Sequence, residues 1–410
     1  MGVNKTSIGT YGQARKVGSF LGVVDYDDTT SLGALEFPLS RNSKATEFSD
    51  GLIKEVDENV PRFEDGALLL EPQSTNLIAY SEDLDATASS SWWNNQDSTS
   101  VLNYDSSPDG QIKSTLLYPT TSGANRSLNE NFGTILSGGT YTFSVFAKSA
   151  GKNWLRFLHL NASAGNATTH FDLDNGTVGT TNIYTDVGME NYGNGWYRCY
   201  ATVVASGSTD IVYLMLTDTD NSNISTTNGT DGIEIWGAQI EQLSYATSYI
   251  PTNGSAVTRL ADVVSGASNE NIFNSEEGVL FAEVSAFADN TFKRISLNNG
   301  SFLNSVFFDF DNTNNLLGKL IVNGNEVVRI SASGLNIEDN NKIALSYKVN
   351  DFKLFVNGSK VGTDFVGATP IELNTLSLDL GGGQIFYGKV RDLQVFNRAL
   401  TDTELQQLTS

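Results

Sequence analysis

Two adjacent tryptophans are the first residues with chemistry to offer. Trp92 and Trp93 stand in "ASSSWWNNQDS", a polar setting in which at least one ring is hard to bury. An indole face stacks on the C–H face of a pyranose, while nearby amides and carboxylates take its hydroxyls. Trp154, Trp196 and Trp236 sit inside strand-like runs and are expected in a core; Trp196 is kept beside Trp92 and Trp93 as a candidate ligand-facing ring. A second pattern is acidic. "TDTDNSN" groups Asp218, Asp220, Asn221 and Asn223, the oxygen ligands that calcium takes. As an EF-hand it fails: Asn223 occupies the sixth place, where glycine is needed, and Gly229 the twelfth, where glutamate is needed. A solvated loop is the plainer expectation, and apart from this weak calcium candidate no cofactor is expected. "DYDD" (Asp25, Asp27, Asp28) and "DFDN" (Asp309, Asp311, Asn312) are weaker still.

Catalysis finds little support. Cleaving a glycosidic bond takes two carboxylates at a set separation. Glu234 and Glu241 flank "IEIWGAQIEQ", but seven residues apart on a regular strand they project to opposite faces. His159 and His170 lack a nearby Ser or Cys nucleophile pattern, and neither a Gly-x-Ser-x-Gly elbow nor a phosphate-binding loop is present. The chain is expected not to be an enzyme.

The elements that must position these residues are strands. "TYTFSVFAK" alternates, with Tyr141, Phe143 and Val145 on one face and Thr142, Ser144 and Phe146 on the other. "NWLRFLHLNAS", "HFDLDNGTVG", "GWYRCYATVVAS", "DIVYLMLTD" and "GIEIWGAQIEQL" follow at short spacing, with Asn175-Gly176 as a hairpin-type turn. Strands this close leave no room for helical crossovers, so they pair antiparallel. A second strand-rich block begins near Gly278, with Asn323-Gly324 and Asn357-Gly358 between β-rich runs. The chain ends on a capping box, Thr401 with Glu404, that starts a short helix placing Leu405 and Leu408 inward. The predicted fold is all-β: two tandem antiparallel sandwiches of jelly-roll type, at 71–260 and 261–410, and one short C-terminal helix. Residues 1–70, broken by Asp50-Gly51, Pro61 and Asp65-Gly66, read as an irregular attachment segment that needs a partner surface.

Composition bounds the partners. With 47 acidic against 25 basic residues the net charge is -22, a field that repels phosphate backbones and anionic lipid. Cys199 stands alone, so no internal disulfide forms. The N-terminal stretch lacks the apolar core of a signal peptide, and no run approaches the ~20 apolar residues of a membrane span, so synthesis in a cytoplasm is expected.

Two resemblances add to this. "KLFVNGSKVG", a Gly-rich strand and then "GKVRDLQVFNRALTDTELQQL" resemble the laminin G-type members of the concanavalin A-like lectin/glucanase fold, over roughly residues 265–410. That fold serves sugar binding, protein binding and mere spacing; the E.D.E strand motif of its glucanase members is absent here. Earlier, "FPLSRNSKATEFSDGLIKEVDENVPRFEDGALLLEPQSTNLIAYSEDL" and "EIWGAQIEQLSYATSYIPTNGSAVTRLADV" are similar to paired segments of tailed-bacteriophage virion proteins, which flank a carbohydrate-binding-module-like sandwich. The resemblance implies a particle-exposed structural protein (fibre, spike or decoration of head or tail), made in the host bacterial cytoplasm and assembled into the virion. It implies docking on other virion proteins through residues 1–70, a homo-oligomer such as a trimer, and binding of host-surface glycans. A polysaccharide-cleaving tail spike and a bacterial carbohydrate-binding or adhesion module are the alternatives.

Overall fold

A computed structural model describes residues 19–23, 34–85, 93–133, 136, 138–207, 210–268 and 273–410. The described chain is all-β apart from one helix, and it divides into two compact units. One comprises residues 45–55 and 73–259; the other draws on the described parts of 1–44 with 56–72 and 260–410.

The first unit is a sandwich of two six-stranded antiparallel sheets. One runs in the order Asp186–Asn191, Tyr197–Val204, Thr140–Ala150, Gly232–Glu241, Thr115–Pro119, Ser98–Val101. The other runs Thr177–Asn182, Gly165–Asp172, Trp154–Ala162, Asp210–Thr217, Arg126–Gly133, Asn94–Gln96. Alternation builds the core between them: Tyr141, Phe143 and Val145 from one sheet meet Leu155, Phe157 and Phe171 from the other. Phe157 stands edge-on to Phe143 at 5.0 Å and to Phe171 at 4.7 Å between ring centroids. The outer face of Thr140–Ala150 is not wet, as simple alternation would have it. Thr142, Ser144 and Phe146 are all buried, because a hairpin of Ala45–Ser49 and Leu52–Val56 and the stretch after Glu241 lie over that face.

The second unit packs a six-stranded sheet containing Lys293–Asn298, Ser305–Phe310, Leu316–Val322 and Asn325–Ala332 against a seven-stranded one. The turns at Asn323-Gly324 and Asn357-Gly358 have positive φ at both residues, the backbone of a two-residue hairpin. The helix Asp402–Leu408 carries the expected capping box, and Leu405 and Leu408 pack on Val279, Phe281, Phe355 and Phe396.

Residues 34–70 do not stand apart as a separate segment. Arg62–Glu64 and Ala67–Leu70 extend the seven-stranded sheet, where Leu68 and Leu70 are fully buried, while Ala45–Glu55 belongs to the first unit. Short apolar pieces too poor to form their own core find one as edge strands of larger sheets.

Candidate functional site

The outer face of the sheet holding Gly232–Glu241 carries an aromatic floor. Phe146, Trp236 and Tyr249 form one buried group, with ring centroids of Trp236 and Tyr249 4.7 Å apart and Phe146 5.5 and 5.9 Å from them. Trp236 faces outward by alternation with the inward Ile233 and Ile235, and a bulge brings Gln239 to the same face. Phe146 pairs with Trp236 and Ser144 with Gln239, so Gly237 and Ala238 together oppose Val145. Gly237 takes φ +62, and a Cβ on it would come within 2.9 Å of the Phe146 ring; only glycine serves.

Tyr249 is pinned by the side chains of Gln239 and Asn76. The Gln239 Oε1 accepts from the Ile250 N–H at 2.7 Å, and the Asn76 amide donates to the Ala238 and Ile250 carbonyls. Thr46 of the hairpin donates to the Tyr249 carbonyl at 2.5 Å, and the Ile53 N–H to the Pro108 carbonyl at 2.9 Å. The Tyr249 hydroxyl meets Ser81 Oγ at 2.7 Å and donates to Glu82 Oε1 at 3.3 Å. Burial and the nearby Glu82 carboxylate hold that phenol well above its usual range.

Above this floor lies a cleft of about 480 Å³, in the size class of small-molecule sites. Its rim is polar: Lys54, Glu55, Glu82, Asp109, Gln111 and Lys113. Lys113 Nζ reaches Glu82 at 3.0 Å and Asp109 at 3.5 Å; burial works to lower its pKa, but these carboxylates prevail and raise it. Lys54 is paired with Asp50 at 2.6 Å. The Trp236 indole N–H is buried with no hydrogen-bond partner among the described residues. The arrangement can bind a polyhydroxylated ligand: carboxylates and Gln111 take hydroxyls, and apolar ring edges lie beneath.

The sequence candidates distribute differently. Trp93 is 1% exposed, and its indole N–H donates to the Tyr80 carbonyl at 3.3 Å. It is a core residue and offers no stacking face. Its neighbour Trp92 lies outside the described residues. Trp196 is likewise sealed, its N–H donating to the Ser106 carbonyl at 3.1 Å. A flat aromatic in a polar stretch is buried here because its one polar atom finds a backbone acceptor.

The side chains of the acidic loop do not converge on one point. Asp218 pairs with Lys152 at 2.5 Å and accepts from the Thr226 N–H, whereas Asp220 accepts from Thr180 N–H and Oγ. Asn223 donates to Asn125, and Asn221 supplies a positive-φ turn. Among the described residues no group of three or more His, Cys, Asp or Glu could hold a metal ion. Asp218 instead borders a smaller cavity, of about 260 Å³, beside Trp154.

Glu234 and Glu241 correct the expectation of opposite faces. The bulge adds one residue to the strand, so both glutamates pair with outward positions, Lys148 and Thr142. They are still about 20 Å apart along the strand at ~3.3 Å per residue, far beyond a glycosidase pair. Glu234 accepts from Ser114 at 2.8 Å and Lys148 at 3.0 Å; Glu241 accepts from Ser74 at 2.6 Å and from Thr247. Both serve as anchors.

Sequence reasoning missed Tyr249, Glu82, Asp109, Gln111 and Lys113. The spacing "WGAQIE…TSYIPT" was the available signal, since Gln239 reaches across a loop to fix Tyr249 beside Trp236.

Residues 280–406 match the family model described as the concanavalin A-like lectin/glucanases superfamily, of laminin G type. Those residues lie in the second unit, which is similar to that superfamily over this stretch. No curated protein matches the chain. Among solved structures, the CBM40 of the Ruminococcus gnavus IT-sialidase bound to α2,3-sialyllactose is 18% identical, with 36% of this chain and 92% of that one covered and a TM-score of 0.30. A heptameric SAP-like pentraxin from Limulus polyphemus is 18% identical over 33% and 70%, TM-score 0.27. Trypanosoma rangeli sialidase is 10% identical over 92% and 77%, TM-score 0.28.

Proposed function

We propose that this chain is a non-enzymatic glycan-binding protein exposed on a tailed-bacteriophage particle, and that the cleft over Trp236 and Tyr249 holds the glycan. The cleft carries the reading. It unites an apolar ring floor and a rim of carboxylates, lysines and an amide, which together suit sugar hydroxyls. The concanavalin A-like stretch supports a carbohydrate-linked role without assigning it a site. The phage setting is supported by the segment resemblance, as are attachment through the N-terminal region and a rotationally symmetric oligomer.

The test is a glycan array bearing neutral and acidic bacterial surface oligosaccharides, probed with the whole chain and with Gln111→Ala and Lys113→Ala. Binding by the parent that both variants weaken at unchanged melting temperature is the expected result. Equal binding by all three would remove the cleft from the function. Immunogold labelling of particles with antibody to this chain checks the virion setting separately, and particles without label would overturn it.

A further inference from the structure

Trp154 is the one described tryptophan that the fold leaves half-buried, and its surroundings are of a kind that the buried tryptophans lack. On Trp154–Ala162 the residues Leu155 and Phe157 point into the core, so Trp154 lies on the outer face of its sheet. A Cβ on Gly179 would lie 2.8 Å from the Trp154 ring, so the strand Thr177–Asn182, two places across the sheet, backs the indole closely. Beside it opens the cavity of about 260 Å³, bordered by Asn153, Asp174, Asn175 and the Lys152–Asp218 pair.

The backbone turn that borders that cavity is already fixed in place. Asp172 accepts from the backbone N–H groups of Asp174 at 3.0 Å and Asn175 at 3.3 Å, and from the Asn175 side-chain amide at 2.8 Å. This locks the 172–175 turn beside the ring, so little conformational entropy is lost when a ligand binds. Three polar groups have no protein partner among the described residues: the Trp154 indole N–H, the Asp174 carboxylate and the Asn175 amide oxygen. They provide one donor and two sets of acceptors around a rigid ring. The cation at the site, Lys152, is spent on Asp218 and also touches Thr226 Oγ1.

We infer that this cavity is a second sugar subsite, on the sheet opposite the cleft, and that it takes a neutral hexopyranose residue. Sugar hydroxyls would donate to Asp174 and Asn175 and accept from the indole N–H, with the pyranose lying along the ring. An acidic sugar is disfavoured, since its carboxylate would meet the unpaired Asp174 with no free cation to balance it. The subsite shares no residue with the cleft, so either can fail without the other.

The experiment uses the whole chain with maltose, lactose and cellobiose as neutral probes and 3′-sialyllactose as the acidic one. Oxidation of tryptophan by N-bromosuccinimide, mapped by mass spectrometry, should mark Trp154 and spare Trp93, Trp196 and Trp236. At least one neutral disaccharide at millimolar concentration should protect Trp154, whereas 3′-sialyllactose should protect it less than lactose does. In titrations Asp174→Ala should weaken that disaccharide at least fivefold with melting temperature unchanged, and Trp154→Phe should weaken it less. Gln111→Ala should leave Trp154 protection intact. Protection by none of the neutral sugars, unaltered affinity in Asp174→Ala, or stronger protection by 3′-sialyllactose than by lactose would each overturn the inference.

Discussion

Arg41 and Asp262, 221 residues apart in the chain, meet at 2.9 Å as an ion pair with both side chains sealed from solvent. Arg62 joins them on the other Asp262 oxygen and reaches Glu71 at 2.6 Å, and the Glu71 N–H also donates to Asp262. Burial works to lower the Arg62 pKa, but Asp262 and Glu71 outweigh it and push the pKa up, so the guanidinium stays charged. Removing the shared acceptor leaves two buried guanidinium groups under-compensated. Asp262→Asn should therefore cost about 3–5 kcal/mol in urea unfolding of this unit. A loss under about 1 kcal/mol would mean the cluster is wetter than its geometry.

Glu130 sits on the core-facing side of Arg126–Gly133, between Leu128 and Phe132, with Oε2 buried and unbonded among the described residues. Burial raises its pKa to about 8, only partly opposed by the Asn131 N–H. The sign follows. Above about pH 4.5 the unfolded chain releases this proton while the folded chain keeps it, so the group's contribution to stability falls as pH rises, until it levels off near pH 8. Glu130→Gln should remove that slope. Relative to the parent, the variant should gain a few kcal/mol between pH 4.5 and 8, measured by denaturant titration across that range. Parallel pH–stability curves for the two proteins would show that Glu130 is ionised in the fold.

Much of this architecture was legible in the chain. Alternation in "TYTFSVFAK" fixed the inward residues, and Asn-Gly pairs marked the hairpins, because period-two burial and positive φ are local demands. The site was not legible in that way. Gln239 shares the outward face of Trp236 only because a bulge shifts the strand's phase at Gly237, and the rim is contributed by loops that are remote in sequence. Trp93 misled for the opposite reason. Its polar neighbours suggested solvent, while the Tyr80 carbonyl that satisfies its indole lies 13 residues away. The motif arginines, Asn76, Gln239 and Asp262 looked like a family signature and turn out to be internal clamps.

At the C-terminal helix, Thr401 accepts from the Glu404 N–H at 3.3 Å while the Glu404 carboxylate accepts from the Thr401 N–H at 2.8 Å. The hydrogen bond from Arg398 is the chief reason that the Glu404 pKa falls to about 2, with Thr401 helping. A depressed carboxylate adds stability above its unfolded pKa that fades as pH drops from about 4.5 towards 2. The pair is partly solvent-exposed, so screening leaves only a fraction of that shift as stability. Thr401→Ala should cost ~1 kcal/mol at pH 7, read as a melting temperature lower by about 2–4 °C. An unchanged melting temperature would show that Leu405 and Leu408 alone hold the helix.

Removing residues 1–70 is the sharpest test of where the folded units begin. Poor apolar content alone would make the segment dispensable, leaving 71–410 folded by itself. In the second unit, however, the deletion takes away Arg62–Glu64 and Ala67–Leu70, and with them the buried Phe63, Leu68 and Leu70. Fully burying one such side chain is worth ~1.5–3 kcal/mol, so these three alone approach the whole stability of a domain. The same cut deletes Arg41 and Arg62 and leaves Asp262 and Glu71 as buried acids without their cations. In the first unit it strips the hairpin whose Ile53 packs in the Trp236 and Tyr249 group and whose Thr46 holds the Tyr249 carbonyl. The 71–410 chain should therefore be poorly soluble and lack a cooperative thermal transition, with near-ultraviolet circular dichroism reduced as Trp236 and Tyr249 lose their packing. A soluble 71–410 chain with one sharp transition and an unaltered aromatic spectrum would return residues 34–70 to the role of a detachable segment.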